Sequence, residues 1–188
     1  LDLLAAKEGK NSVSLILRNR LNEIKNDYDY IIIDNNPTRS ILADSVLTAS
    51  DYVLVPVEAD GFSYEGIKLI MDDIARIKKT LNPDLVFLGA LFTKVSPRTL
   101  LFKSVYQHLI EDLGDDAIKQ PIRMDNAVKE ANTDFIPLYR RTPRSKAGTD
   151  YIRAAYEMGF IDSRDYKKLL DWHGAKNDNF DFVKEDEE

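Results

Sequence analysis

Cysteine is absent from the 188 residues. That removes disulfides, thiolate zinc sites and cysteine-ligated iron–sulfur clusters, and it suits a reducing cytosol. Histidine is scarce as well. His108 and His173 are too few and too far apart in sequence to suggest an imidazole metal site. No apolar run approaches the roughly 18 residues needed to span a bilayer, and no secretory signal is visible. A phosphate loop of the form Gly-x-x-x-x-Gly-Lys-Ser/Thr is also lacking. Gly9-Lys10 is the nearest imitation, but Leu4 stands where the first glycine belongs and Asn11 follows the lysine. No other glycine precedes Lys or Arg. Without the backbone cradle and lysine that stabilise phosphoryl transfer, this chain alone is expected neither to hydrolyse ATP nor to bind it tightly.

What is present is the composition of an ordinary globular protein, 44% apolar and 31% charged, in a length that suits one domain with a sizeable core. The net charge of −6 is unevenly spread. Gly174 to Glu188 holds six acids (Asp178, Asp181, Glu185, Asp186, Glu187, Glu188) against Lys176 and Lys184, which leaves the remainder close to balance. Within that remainder, Arg140-Arg141-Thr142-Pro143-Arg144-Ser145-Lys146 carries four cations and no acid. Global acidity therefore does not exclude a local basic face. The chain starts Leu1-Asp2-Leu3-Leu4, apolar at once and without Met, and is expected to be a fragment cut just before or inside a strand.

Short runs rich in Val and Ile alternate with longer segments of helical period. Leu1–Ala5 reads as a strand remnant, and Val13, Ile16, Leu17, Leu21 and Ile24 mark an amphipathic helix. Tyr28–Asp34 (YDYIIID), apolar on both faces, suits a central strand of a parallel sheet. A helix is expected over Ser40–Ala49, a strand over Tyr52–Pro56, and a long helix whose buried stripe runs from Ile67 to Leu81. A strand over Leu85–Thr93, a helix over Thr99–Leu113 and a short strand ending near Pro121-Ile122 follow. Helices over Asn126–Ala131, Ser145–Met158 and Ser163–Trp172 complete the series. This alternation predicts an α/β fold, a doubly wound, mostly parallel sheet flanked by helices; that it is of the P-loop NTPase type, with its N-terminal strand and phosphate loop missing, is what a family resemblance implies. The expected division is residues 1–160 as a partial nucleotide-binding domain and 161–188 as a C-terminal helix with a flexible acidic end.

In such a sheet ligands bind at the carboxyl ends of the strands. Asp34 is the first charge after Ile31-Ile32-Ile33. It reads either as an acid placed to hold magnesium through water, or as a strand-ending residue that starts a turn. Phe62, Tyr64, Tyr28 and Tyr30 read as packing residues rather than a base-stacking platform, and Met71, Met124 and Met158 show no cofactor pattern.

In order, YDYIIIDNNP, ADSVLTASDYVLVPVEADGFSYEGIKLI, LNPDLVFLGALFTKVSPRTL and PRSKAGTDY resemble the ParA/Soj family of partitioning ATPases, over about Leu1 to Gly159. The resemblance implies that a deviant Walker A loop and a first switch lie upstream, and that Asp34 is the Walker B aspartate near the magnesium. Where the family commonly has Cys-Pro-Pro, this chain has Asn35-Asn36-Pro37, and Thr38-Arg39-Ser40 stands where a glycine-containing second switch is usual. Thr93-Lys94 and Ile122-Arg123-Met124 resemble the loops that frame the adenine; the plain alternative for each is a strand-end turn. Arg98 matches an arginine used in that family for sequence-independent DNA binding, and Arg144 and Lys146 match basic positions of its Pro-Lys-Ser-Arg-Gly segment, with Ala147 in place of glycine. A further family DNA-contact arginine is Ala127 here. Arg140, Arg141, Arg144 and Lys146 together form the expected phosphate-binding stretch.

The resemblance implies a plasmid or chromosome partitioning ATPase. ATP and Mg2+ would close a homodimer, the dimer would coat non-specific DNA, and a ParB-like centromere-binding partner would trigger hydrolysis, in the cytoplasm and on the nucleoid. Two alternatives stand beside it. A MinD-like membrane-cycling relative would want a basic, apolar C-terminal helix, whereas an acidic end follows Ser163–Trp172 here. A non-catalytic DNA-binding or replication-control protein would fit the Asn35-Asn36 departure.

Overall fold

Three short strands carry the fold, in the sheet order β1-β2-β3: β1 (Tyr52–Glu58), β2 (Val86–Thr93) and β3 (Ala117–Ile118). The sheet is parallel, with Ala90 opposite Ala117 and Leu91 opposite Ile118, and helices flank it. β2 is the most apolar of the three. Gly89, Ala90, Leu91 and Phe92 are buried in succession, as expected of a strand covered on both faces. Gly89 sits at φ +144°, and a Cβ there would lie 2.7 Å from Ile118 Cδ1, so only glycine lets β3 approach so closely. The computed structural model describes residues 10–35, 39–58 and 63–174. By contacts the chain divides into two units, Leu1–Leu54 with Glu65–Leu88, and Val55–Tyr64 with Gly89–Glu188.

In the first unit α1 (Lys10–Ile24) packs on α2 (Ile41–Ala49). Val13 is buried, and the Arg18 Nε donates to the Thr48 carbonyl at 2.8 Å, a cation set against the negative end of α2. Ser40 caps α2 by accepting from Ala43 N–H. The stripe of α3 (Ser63–Thr80) supplies Ile74 and Ile77 to a core with Leu47 and Leu85, against which Val53, Ile70, Met71, Leu81 and Phe87 pack. Asn82 Nδ2 then donates to the carbonyls of Leu47 (3.0 Å) and Ser50 (2.7 Å), tying the turn after α3 to the end of α2.

In the second unit Phe92 of β2 meets Phe102 and Tyr106 of α4 (Leu100–Leu113), with ring centroids 6.0 and 5.2 Å apart. Thr99 caps α4. α5 (Asn126–Asp134), the four-residue α6 (Leu138–Arg141), α7 (Lys146–Glu157) and α8 (Ser163–His173) follow. α8 lies on α7, burying Leu170 and His173. A Cβ on Gly148 of α7 would meet His173 Cε1 at 2.7 Å, so this glycine is what lets the two helices close.

Three expectations change. Tyr28–Asp34 is not a strand. It runs without a ladder, with Ile32 92% exposed and Tyr28 and Tyr30 also exposed. A central strand needs hydrogen-bonded neighbours, and among the described residues none pairs with it. The short third strand lies at Ala117–Ile118 rather than ending near Pro121-Ile122, where instead a single parallel bridge joins Val95 to Arg123. α6 is an element that periodicity did not indicate, because four residues are too few to show a period. The strand expected at Leu1–Ala5, the Gly9 of the phosphate-loop imitation, Phe62 and the acidic end from residue 175 lie outside the described residues.

Candidate functional site

Asp34 is exposed at the carboxyl end of the irregular segment, and Asn36-Pro37-Thr38 beside it fall outside the described residues. Among the described residues no group of three or more acids or imidazoles gathers to hold a metal ion. Magnesium keeps several waters and takes one or two carboxylates, so Asp34 fits one ligand of such a shell. Arg39, in the segment matched to the second switch, is bound instead to α3: its Nε meets Asp73 Oδ2 at 2.8 Å and its Nη2 the Leu69 carbonyl at 3.1 Å.

The two loops singled out for the adenine come together. Beyond β2, Val95 N–H donates to the Ile122 carbonyl (3.0 Å), Met124 N–H to the Val95 carbonyl (2.8 Å), and Ile122 N–H to the Phe92 carbonyl (2.8 Å). These bonds lay Thr93–Val95 alongside Ile122–Met124. Thr93 Oγ1 leans on the Val57 carbonyl at 3.4 Å, and Lys94 Nζ pairs with Glu58. Lys94 takes a left-handed backbone at φ 54°, which costs a non-glycine residue about 1 kcal/mol and is held by the pairing on either side. Ile122 is buried and Met124 half-exposed.

Arg123 is committed elsewhere. Its Nε and Nη2 donate to the Asp150 carboxylate at 2.8 and 2.7 Å, and its backbone N–H donates to the same group at 3.0 Å. Asp150 is fully buried and Arg123 is largely so. Hydrogen bonding to Asp150, acting against desolvation, raises the already high pKa of Arg123. The Asp150 carboxylate thus takes both the guanidinium and the backbone N–H of Arg123, and its charge is already answered.

The basic stretch is not uniform. Arg98, in the turn before α4, is exposed and forms no ion pair among the described residues. Arg140 on α6 lies over the Tyr139 ring, 5.9 Å from its centroid. Arg141 spends its charge on Asp134 (2.5 Å) and Glu130 (3.6 Å). Arg144 is exposed just ahead of α7 and lies close to Gly174, which caps the C-terminal end of α8. Lys146 is the first residue of α7. Four of the five candidate cations thus remain open to solvent, and Arg141 is mostly answered.

Two acids that sequence reasoning passed over organise this region. Asp125 follows Ile122–Met124, caps α5 and accepts from Ala147 N–H in the first turn of α7, and Asp150 anchors Arg123. The Asp-Asn pair ahead of a helix was a readable cap signal for Asp125. Nothing in the pattern marked Asp150, an acid inside an amphipathic helix.

Parallel strands linked by helices make this an α/β fold, and its neighbours among solved structures are P-loop NTPases of the ParA-like kind. A family model described as "AAA domain" matches residues 2–87. The chain is 32% identical over 142 residues to the sporulation initiation inhibitor protein Soj of Bacillus subtilis, covering 76% of this chain and 56% of Soj. Among solved structures it resembles cobyrinic acid a,c-diamide synthase from Mycobacterium smegmatis with bound ADP and magnesium (26% identity, TM-score 0.54, 63% of this chain and 51% of that one). It also resembles a plasmid partition protein from Borrelia burgdorferi (25% identity, TM-score 0.51, 68% and 50%). The family model and these relatives support this chain as a ParA/Soj-type family member. The chain spans about half the length of the curated relatives it matches.

Proposed function

We propose that this chain belongs to a partitioning ATPase whose ATP-bound homodimer binds DNA without sequence preference and is regulated by a ParB-like partner, in the cytoplasm and on the nucleoid. The observation that carries the reading is the convergence of Thr93–Val95 with Ile122–Met124, directly followed in space by the α7 start with its Arg144 and Lys146. In this reading the paired loops receive the adenine, Asp34 contributes to the magnesium shell, and Arg98, Arg140, Arg144 and Lys146 contact phosphates. ATP and Mg2+ are needs of the complete protein, because this chain has no phosphate loop of its own. Among the described residues no helix is long and apolar enough to cross a membrane, and α8 buries Leu170 and His173 while Trp172 stays exposed.

Phosphate binding releases counterions, so affinity should fall steeply with salt and differ little between unrelated duplexes. The test is a salt titration of the protein expressed from its complete reading frame, with and without ATP, on two unrelated duplexes. Nucleotide-dependent binding with equal affinity for both supports the reading. Binding that ignores nucleotide, or that prefers one duplex strongly, overturns it and favours a replication-control protein.

A further inference from the structure

The segment that follows the paired loops is held at both ends by carboxylates that also hold α7. Asp125 Oδ1 accepts from Ala127 N–H at 3.0 Å and Oδ2 accepts from Ala147 N–H at 3.1 Å. Ala127 and Ala147 are each the second residue of a helix, α5 and α7. One side chain therefore caps α5 and also accepts from the first turn of α7, whose own cap is Ser145, and both helix dipoles favour its negative charge. Burial works against the ionised form of Asp125. The N–H groups of Ala127, Ala147 and Lys146, with the Lys146 charge, outweigh it and hold the carboxyl below its usual pKa. On the other side of Met124, Arg123 is fastened through its main chain and guanidinium to Asp150, one turn into α7. Residues 123 and 125 are thus both bound within the first five residues of α7, the helix that begins between Arg144 and Lys146 and the core.

We infer that Asp125 is a positioning residue that couples the Ile122–Met124 loop to the basic start of α7, so that a nucleobase held by the loop and a polyanion held by Arg144 and Lys146 strengthen each other's binding. This rests on the nucleotide and DNA reading above and adds its internal connection. Ordering the loop around a base fixes Asp125. Fixing Asp125 sets the first turn of α7, and with it the cations at its start, before the polyanion arrives. Linkage makes the effect reciprocal: DNA must favour the base as much as the base favours DNA.

Phosphate contacts and dimer closure are common to ATP and GTP, so the ratio of their affinities isolates the loop. The experiment measures ATP and GTP affinity in the complete-reading-frame protein, with and without a mixed-sequence duplex. In the parent protein the duplex should change the ATP-to-GTP ratio by about 5-fold or more. Asp125→Ser can still cap α5 but is too short to reach α7, and it should bring that change to about 1-fold. Asp125→Asn keeps the size of the side chain with one acceptor for two donors, and it should lose the change likewise. Thermal melting confirms that each variant is folded, and if Asp125→Ser is not, Asp125→Asn decides. A ratio indifferent to DNA in the parent, or a parental response retained in the folded variants, overturns the inference while leaving the function standing. Absence of any nucleotide-dependent DNA binding overturns both.

Discussion

Tyr28–Asp34 and Val86–Thr93 are both mostly apolar runs, interrupted by Asp29 in the first and Gly89 in the second. One is the middle strand of the sheet, and the other lies unpaired with Ile32 in solvent. The difference is not composition. β2 has a strand on each side and a helix, α4, placing Phe102 and Tyr106 against Phe92. The first segment has no ladder among the described residues, and its apolar side chains meet water. A strand is a relation between segments, and hydrophobicity only makes a segment eligible for it.

The largest effect that sharpens the contrast should come from truncating both runs. Phe92→Ala removes a fully buried ring from the aromatic trio and is expected to cost about 3–5 kcal/mol in chemical denaturation of this chain. Ile32→Ala should stay within about 0.5 kcal/mol. An Ile32 cost comparable to that of a core residue would show that the segment is covered in solution.

Next in size is the second unit's buried ion pair. Asp150→Ala strands a mostly buried guanidinium and should cost about 3 kcal/mol, whereas Arg76→Ala, whose partners Asp44 and Asp73 lie near the surface of the first unit, should cost about 1 kcal/mol or less. Equal losses in denaturation would erase the distinction between the two networks.

His173 gives a smaller, pH-dependent effect. Burial lowers its pKa from the ordinary histidine value, and its Nδ1 has no hydrogen-bond partner. The unfolded chain therefore takes up a proton that the folded chain refuses, so stability is full above about pH 6.5 and declines as pH falls below it. His173→Leu should flatten the melting-temperature profile between about pH 5 and 7. A slope that survives the change would assign it to other groups.

The smallest effect concerns DNA. Arg144→Ala in the complete-reading-frame protein should reduce the salt slope of binding by about one unit. Arg141→Ala should reduce it less, since Asp134 and Glu130 already answer that charge. A larger loss at Arg141 would mean that DNA displaces those acids.

The sequence by itself determined the α/β class, most helices to within a few residues, and the two strands whose apolar runs are longest and most β-branched or aromatic. It could do so because period and capping are local: Ser40, Thr99 and Ser145 each precede a helix and each accepts its cap hydrogen bond. The candidate loop residues Thr93, Lys94 and Ile122–Met124 came from the family resemblance, not from period or capping. Only the tertiary structure decided that Thr93–Val95 and Ile122–Met124 touch, that Arg123 and Arg141 are already spoken for, and that Tyr28–Asp34 joins no ladder among the described residues. Each of those depends on a partner between seven residues and several tens of residues away, or on the lack of one, and a partner at that distance leaves no periodic mark on the chain. Asp125 shows the boundary well: its capping of α5 is written in the residues beside it, while its hold on Ala147, 22 positions on, exists only once the helices have packed.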